Sequence, residues 1–313
     1  MSDFPSYMRL FSEGVLEDRL TALLSLASPC VLCPRQCMAD RMGGERGYCQ
    51  APYGLYISSA SPHFGEETPL VGTWGSGTIF MTHCSLRCAF CQNPHISIRG
   101  EGISCSAAAL ADVMVDLQGK GCHNINFVTP THYVHQIVRA LPLAIEKGLT
   151  VPLVYNSGGY DSLEVLRLLD GVFDIYMPDI KFLNPALASR YCQAEDYPVV
   201  VWAAVREMFR QVGDLVTDPG GIAERGLIIR HLVMPGAADD TRKVLDRIAS
   251  ELSGNTYLNI MSQYYPCHRA DEFPEISRRI TLEEHENALR YALSIGLTPV
   301  SRDRSSCSEH CSP

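Results

Sequence analysis

Three observations predict an α/β fold built on a parallel sheet. Short apolar runs such as Ile125-Asn-Phe-Val128 and Leu227-Ile-Ile-Arg-His-Leu-Val233 recur along the chain and read as buried strands. Stretches with helical spacing of apolar residues separate them, and a β-α-β-α order favours parallel strands covered by helices. With 313 residues, 46% hydrophobic and 19% charged, the chain is long enough for one large α/β domain with appendages.

Taken in order, residues 1–29 are expected to form one amphipathic helix with Leu16, Leu20, Leu23 and Leu24 on its apolar face. Next come Cys30-Val-Leu-Cys-Pro-Arg-Gln-Cys37 and Gly43-Gly-Glu-Arg-Gly-Tyr-Cys49, with the spacing C-x2-C-x3-C-x11-C. Four thiols at Cys30, Cys33, Cys37 and Cys49, with Pro34 and glycines for turns, suit a tetrahedral thiolate site for structural zinc or a second iron–sulfur cluster. Such a metal contributes folding energy to a segment too small to build its own core. Gly72-Thr-Trp-Gly-Ser-Gly77 could pass for a phosphate cradle, but it precedes a strand and no P-loop lysine follows. A tight turn is the better reading.

Strands are expected at 78–83, 123–129, 151–156, 172–178, 227–233 and 256–261. Helices are expected at 106–119, 132–147, 162–169, 197–211 and 239–252, with a last one at about 281–295. The expected divisions are 1–70 for the helix and cysteine-rich segment, 71–300 for the core and 301–313 for a polar tail.

Charge and cysteine usage narrow the class. A net charge of −9 disfavours a nucleic-acid-binding surface. No apolar run approaches the roughly 18–20 residues of a membrane span, so no membrane partner is expected. Met1-Ser-Asp-Phe-Pro5 lacks the pattern of a signal peptide. Thirteen cysteines, with seven in two tight clusters, argue for metal ligation in a reducing cytoplasm rather than for a secreted disulfide framework.

The densest chemistry lies in Thr82-His-Cys-Ser-Leu-Arg-Cys-Ala-Phe-Cys-Gln-Asn-Pro94, directly after the apolar run Thr78-Ile-Phe-Met81. Cys84, Cys88 and Cys91 are spaced C-x3-C-x2-C and could wrap one small cluster from a single loop. A 4Fe-4S cube held by three thiolates leaves one iron open to a substrate or cofactor. The same spacing would also suit the buried face of a helix, since free cysteine packs well, but Pro94 follows closely.

This motif resembles the signature of the radical S-adenosylmethionine (SAM) superfamily, C-x3-C-x-aromatic-C after the first strand, with Phe90 in the aromatic place. The resemblance covers residues 30–300 and implies a partial (β/α)6 barrel preceded by a small cysteine-rich segment. It also implies that SAM chelates the open iron and that an electron from the reduced cluster cleaves it to a 5′-deoxyadenosyl radical. Within the superfamily the chain is similar to pyruvate formate-lyase activating enzyme-like proteins, the oxidoreductases that activate glycyl radical enzymes. A protein or peptide substrate and a reducing donor such as flavodoxin or ferredoxin would follow. Two further readings stay open: radical modification of another peptide or small molecule, and a non-catalytic iron–sulfur electron-transfer protein. A weaker idea is a thiol redox enzyme using Cys30 and Cys33, although Cys37 and Cys49 fit metal ligation better.

Parallel α/β folds place ligands at the carboxyl ends of their strands. There the second expected strand runs into Thr129-Pro-Thr-His132, where the resembled family carries Gly-Gly-Glu-Pro; Thr129 and Thr131 can still offer acceptors to SAM. The third ends at Tyr155-Asn-Ser-Gly-Gly-Tyr160, similar to a Thr-Asn-Gly turn that would bring Asn156 to SAM. Next, Met177-Pro-Asp-Ile-Lys181 resembles the family's Asp-Leu-Lys element, and strand alternation puts Asp179 and Lys181 on one face. Arg230, inside an apolar strand, needs a carboxylate or anion; the resemblance puts it near SAM, while a protein carboxylate is the plainer partner. By the same resemblance Gln263 approaches adenine, and Tyr264 or Tyr265 is a candidate to face substrate. His231 reads as structural, and Cys267 and His268 read as a packed thiol and a surface imidazole. Cys105, Cys122 and Cys192 are isolated in sequence and read as structural. Cys307, His310 and Cys311 form a C-x2-H-C near the end, read as tail thiols that could complete a metal site.

Overall fold

The amino-terminal amphipathic stretch folds as two helices rather than one, α1 (Ser6–Ser12) and α2 (Val15–Ser25), in a computed structural model that describes residues 4–298. The break is Gly14, left-handed at φ 74°, a conformation that costs glycine little. Leu16 and Leu23 are buried, whereas Leu20 and Leu24 are only partly so. The expected tail at 301–313, with Cys307, His310 and Cys311, lies outside the described residues.

The remaining elements follow in chain order. They are β1 (Leu55–His63), α3 (Thr68–Val71), β2 (Ser76–Met81), α4 (Pro94–Ser97), β3 (Ile103–Cys105), α5 (Ala107–Gly119) and β4 (Ile125–Val128). Next are α6 (Val134–Glu146), β5 (Leu153–Ser157), α7 (Leu163–Leu168), β6 (Ile175–Pro178), α8 (Pro185–Cys192) and α9 (Tyr197–Val212). β7 (Val216–Thr217), β8 (Ala223–Leu232), α10 (Ala238–Glu251), β9 (Tyr257–Met261) and α11 (Leu282–Ser294) follow among the described residues. The architecture is mixed α/β on a largely parallel sheet, as the alternating pattern predicts.

The chain divides into two compact units. The first holds the chain up to Arg87, Asn93–Pro178 and Val199–Leu227. Its strands run in the order β3-β1-β2-β4-β5-β6-β8-β7. β2, β4, β5, β6 and the start of β8 are parallel, while β1 pairs antiparallel with both β2 and β3. The apolar-run criterion misses β1 because Ser58, Ser59 and Ser61 interrupt it. The second unit holds Cys88–Gln92, Asp179–Pro198 and the chain from Ile228 onward, and there the end of β8 pairs in parallel with β9.

Register sets what each face of the first unit's sheet carries. Phe80, Val128, Asn156 and Met177 are partners across four parallel strands, so they share one face at one level. Thr78, Asn126, Val154 and Ile175 form the next level toward the amino ends. The other face is aromatic: Phe173 stands edge-on to Phe127 and Tyr155, and Tyr155 contacts Tyr176. Among the described residues no helix is long and apolar enough to cross a membrane.

Candidate functional site

In the first unit, the loops at the carboxyl ends of β2, β4 and β5 carry the candidate residues. The β2 loop turns sharply, with His83 and Arg87 left-handed at φ 69° and 57°. This bend stops Cys84 from continuing the strand, and the Leu86 amide points to its sulfur at 3.4 Å. Thr129 is left-handed too, at φ 60°, and its amide donates to the Asn156 carbonyl at 2.8 Å. Asn156 itself is buried. One level lower on the same face, the fully buried Asn126 amide finds no partner for either of its polar atoms.

Thr131 does not cap α6; its hydroxyl donates to Asp161 at 2.7 Å. Asp161 also accepts from Tyr155 Oη at 2.8 Å and Ser157 Oγ at 2.6 Å. Burial pushes the Asp161 carboxyl up while the three hydroxyls pull it down. This carboxylate ties the β4 loop to the β5 loop, and the sequence reading missed it. Its only local signal is an Asp beside Ser162, which caps α7.

The cysteine-rich segment belongs to the same unit. Cys33 and Cys49 are both shifted upward by burial, Cys33 to about 12, and the neighbouring thiols add to the effect. Negative charge on the neighbouring sulfurs therefore disfavours the thiolate form of Cys33 and of Cys49. A bound cation would reverse that, which is the chemistry expected of a thiolate metal site. Gly47 lies so close to the Cys37 sulfur that a Cβ there would collide with it.

Two arginines, both overlooked in the sequence, fasten this segment to the strand-end loops. Arg41 is buried and donates to the carbonyls of His132 at 2.9 Å and Pro52 at 2.6 Å. Arg35 Nε donates to the Ser85 carbonyl at 3.0 Å, inside the candidate cluster loop. The Arg35 guanidinium also lies 4.0 Å from the Tyr48 ring centroid and 5.1 Å from that of Tyr160.

In the second unit, the Ala89 amide donates to Tyr191 O at 2.7 Å and the Arg269 amide to Ala89 O at 2.8 Å. Phe90 is buried edge-on against Phe182 and Tyr264, so its ring is part of this packing. Cys91 is half-buried, and its amide donates to Cys88 O. Cys192, read from the sequence as merely structural, stands 3.4 Å from Cys88, sulfur to sulfur. The sequence interval between them hid the contact, and α8 supplies it. This contact and burial push the Cys88 thiol well up, while the Lys181 charge acts in the opposite sense.

Asp179 and Lys181 pair just beyond the end of β6, and Arg230 joins them. Lys181 Nζ lies 2.7 Å from one Asp179 oxygen and Arg230 Nε 2.8 Å from the other. Side-chain exposures of 15–18% make this a largely desolvated triad with a net positive charge. Burial opposes ionisation of Asp179, yet Arg230 and Lys181 hold its carboxyl below the usual range. Tyr197, not singled out in the sequence, donates to Asp179 O at 2.8 Å and accepts from the Lys181 amide at 3.0 Å.

Gln263 is exposed; its carbonyl accepts from the side chain of Gln92, beside Cys91, at 3.3 Å. Tyr264 is a core residue rather than a substrate-facing one, with its hydroxyl donated to Ile276 O at 2.6 Å. His231 is structural as expected, engaged by Ile180 O and Thr241 Oγ1.

Among the described residues no three His, Cys, Asp or Glu side chains stand in ligating geometry. Metal binding by either cysteine set thus rests on spacing and thiol chemistry, not on an assembled cage. The donor set at Cys84, Cys88 and Cys91 fits a cluster: three thiols on one loop, with a backbone N–H at the Cys84 sulfur and an ammonium acting on Cys88.

No protein-family model matches the chain. A radical SAM methyltransferase from Sphaerobacter thermophilus has a similar structure, with a TM-score of 0.51, 15% identity, and coverage of 72% of this chain and 66% of that one. The match thus spans slightly under two thirds of that protein. Native anSMEcpe with bound AdoMet aligns at a TM-score of 0.45 with 11% identity, over 68% of this chain and 57% of that one. In sequence, the uncharacterized protein MJ0674 of Methanocaldococcus jannaschii is 34% identical over 289 residues, covering 89% of this chain and 78% of the relative. The chain therefore has a radical SAM enzyme fold and belongs to the same family as MJ0674.

Proposed function

We propose that this protein is a radical SAM enzyme, with Cys84, Cys88 and Cys91 as ligands of a 4Fe-4S cluster. The observation that carries the reading is the C-x3-C-x2-C loop at the carboxyl end of β2, in a chain with this fold. When bound, the cluster and SAM supply the 5′-deoxyadenosyl radical that removes a hydrogen atom from substrate. The chain's own residues bind and orient. Asn156, at the end of β5, and Thr129 and Thr131, in the loop after β4, offer polar contacts in a region that Asp161 ties together. In the second unit, the Asp179–Lys181–Arg230 triad carries charges of both signs, which suits the zwitterionic methionine end of SAM. Gln263 is the proposed adenine contact.

The four thiols at Cys30, Cys33, Cys37 and Cys49 are assigned to zinc or a second iron–sulfur cluster. Activation of a glycyl radical enzyme, by hydrogen removal from a backbone glycine, is the substrate reading that the motif resemblance supports. A protein substrate, a flavodoxin- or ferredoxin-like donor and a cytoplasmic setting follow from it. Modification of another peptide or small molecule is the second reading. It is favoured by Thr129-Pro-Thr-His132, which offers no carboxylate where the activating enzymes carry Gly-Gly-Glu-Pro.

The test is anaerobic reconstitution with iron and sulfide, addition of SAM and a strong reductant, and quantification of 5′-deoxyadenosine by mass spectrometry. Product from the native protein, and none from Cys84→Ala or Cys88→Ala, is expected. A bound cluster that the variants lose, with no product from the native protein, would sink the enzyme reading in favour of an electron-transfer protein.

A further inference from the structure

The cluster loop of the second unit is held by the carboxyl end of α8. Asn184 starts this helix by accepting from the Ala186 amide at 2.9 Å, and Gln193 ends it in the left-handed region at φ 52°. Its last two residues both face the loop. Tyr191 O takes the Ala89 amide at 2.7 Å, and Cys192 Sγ lies 3.4 Å from Cys88 Sγ. Cys192 is fully buried, and Cys88 is 8% exposed. The backbone bond beside the sulfur contact fixes the spacing of helix and loop, so the Cys192 thiol is held against Cys88.

We propose that Cys192 donates an S–H···S hydrogen bond to the Cys88 sulfur and thereby raises the reduction potential of the cluster that Cys88 would hold. The inference rests on the cluster assignment made above. A hydrogen bond to a ligating sulfur withdraws negative charge from it and favours the electron-rich, reduced cluster. Burial strengthens the effect, because no water competes for the sulfur and the local dielectric is low. Cys192 is a positioning and tuning residue here. The ligands remain the three thiols of the loop, and the open iron is unaffected.

The experiment compares native protein, Cys192→Ala and Cys192→Ser after anaerobic reconstitution. Iron and sulfide content are measured first, and the midpoint potential then follows from an EPR-monitored redox titration. Full cluster content in all three is expected, with a lower potential in the alanine variant and recovery toward the native value in the serine variant, whose hydroxyl can donate. An unchanged potential in Cys192→Ala, or equal displacement in both variants, overturns the proposal. So does loss of cluster iron in Cys192→Ala alone, which would make Cys192 a ligand. Native iron content no higher than that of Cys84→Ala removes the underlying loop assignment instead, and this comparison separates the two failures, because iron held by Cys30, Cys33, Cys37 and Cys49 is common to both.

Discussion

Asp161 is a single buried carboxylate that ties together polar groups at the carboxyl ends of β4 and β5. Three hydroxyls converge on it, one from the loop after β4 and two from β5. Asp161→Ala would leave buried donors without an acceptor, at a cost of about 1–3 kcal/mol or more. Urea unfolding should report that loss, and equilibrium dialysis should show weaker SAM binding. Native stability together with native affinity in the variant would refute the role. The residue was not legible in the sequence because its partners Thr131 and Tyr155 are distant or face-dependent along the chain. Thr131 and Asn156 could be placed near strand ends from the sequence, because an apolar run precedes each of them. Asp179 and Lys181 were legible as a close pair from their spacing, although β6 ends at Pro178 and the ion pair forms just beyond the strand. That Arg230 closes on the other oxygen of Asp179 was not, because β8 and the Asp179 segment become neighbours only through folding.

Between elements, Asp174 joins three parts of the first unit at the start of β6. Its oxygens accept from the Ser6 amide, at the first turn of α1, at 2.8 Å and from the Leu153 amide, opening β5, at 3.2 Å. Burial nevertheless dominates and pushes this carboxyl from 3.8 up to about 6. A raised carboxyl binds its proton more tightly in the folded chain. Its contribution is therefore complete below about pH 4 and is lost as pH rises through about 6. The difference corresponds to about 3 kcal/mol. Asp174→Asn should flatten the pH dependence of unfolding free energy between these limits, measured as the difference from native protein. Parallel curves would show that Asp174 does not titrate in this range. The helix break at Gly14 belongs to this scale as well. Leucine spacing signalled a helix, but only the left-handed glycine decided that there are two.

At the scale of the molecule, the notable arrangement lies within the first unit. Arg41 and Arg35 bind the cysteine-rich segment to the backbone of the β4 loop and of the cluster loop. A metal that orders Cys30, Cys33, Cys37 and Cys49 would therefore stabilise more than its own segment. Chelation of reconstituted protein should lower Tm by several degrees. Cys33→Ser with Cys37→Ser should bind less metal, melt lower at the outset and respond less to chelator. Equal metal content and equal Tm in that double variant would remove the second metal site. Arg41→Met should leave the thiols in place yet loosen His132 and Pro52, read as faster amide exchange at residues 129–133. Unchanged exchange would limit Arg41 to local packing.

The largely parallel α/β class, six of the nine described strands and the two groups of cysteines could be read from the sequence alone. Apolar periodicity and cysteine spacing are local properties, so they survive without coordinates. The sequence also led to the strand ends, because ligands of parallel sheets collect there. That Cys192 touches Cys88, that Asp161 gathers three hydroxyls and that Arg41 reaches His132 emerges only on folding. Those contacts join residues separated by 104, 30 and 91 positions, or by different elements. Contacts over such intervals depend on how helices and strands pack, and neither period nor spacing encodes that.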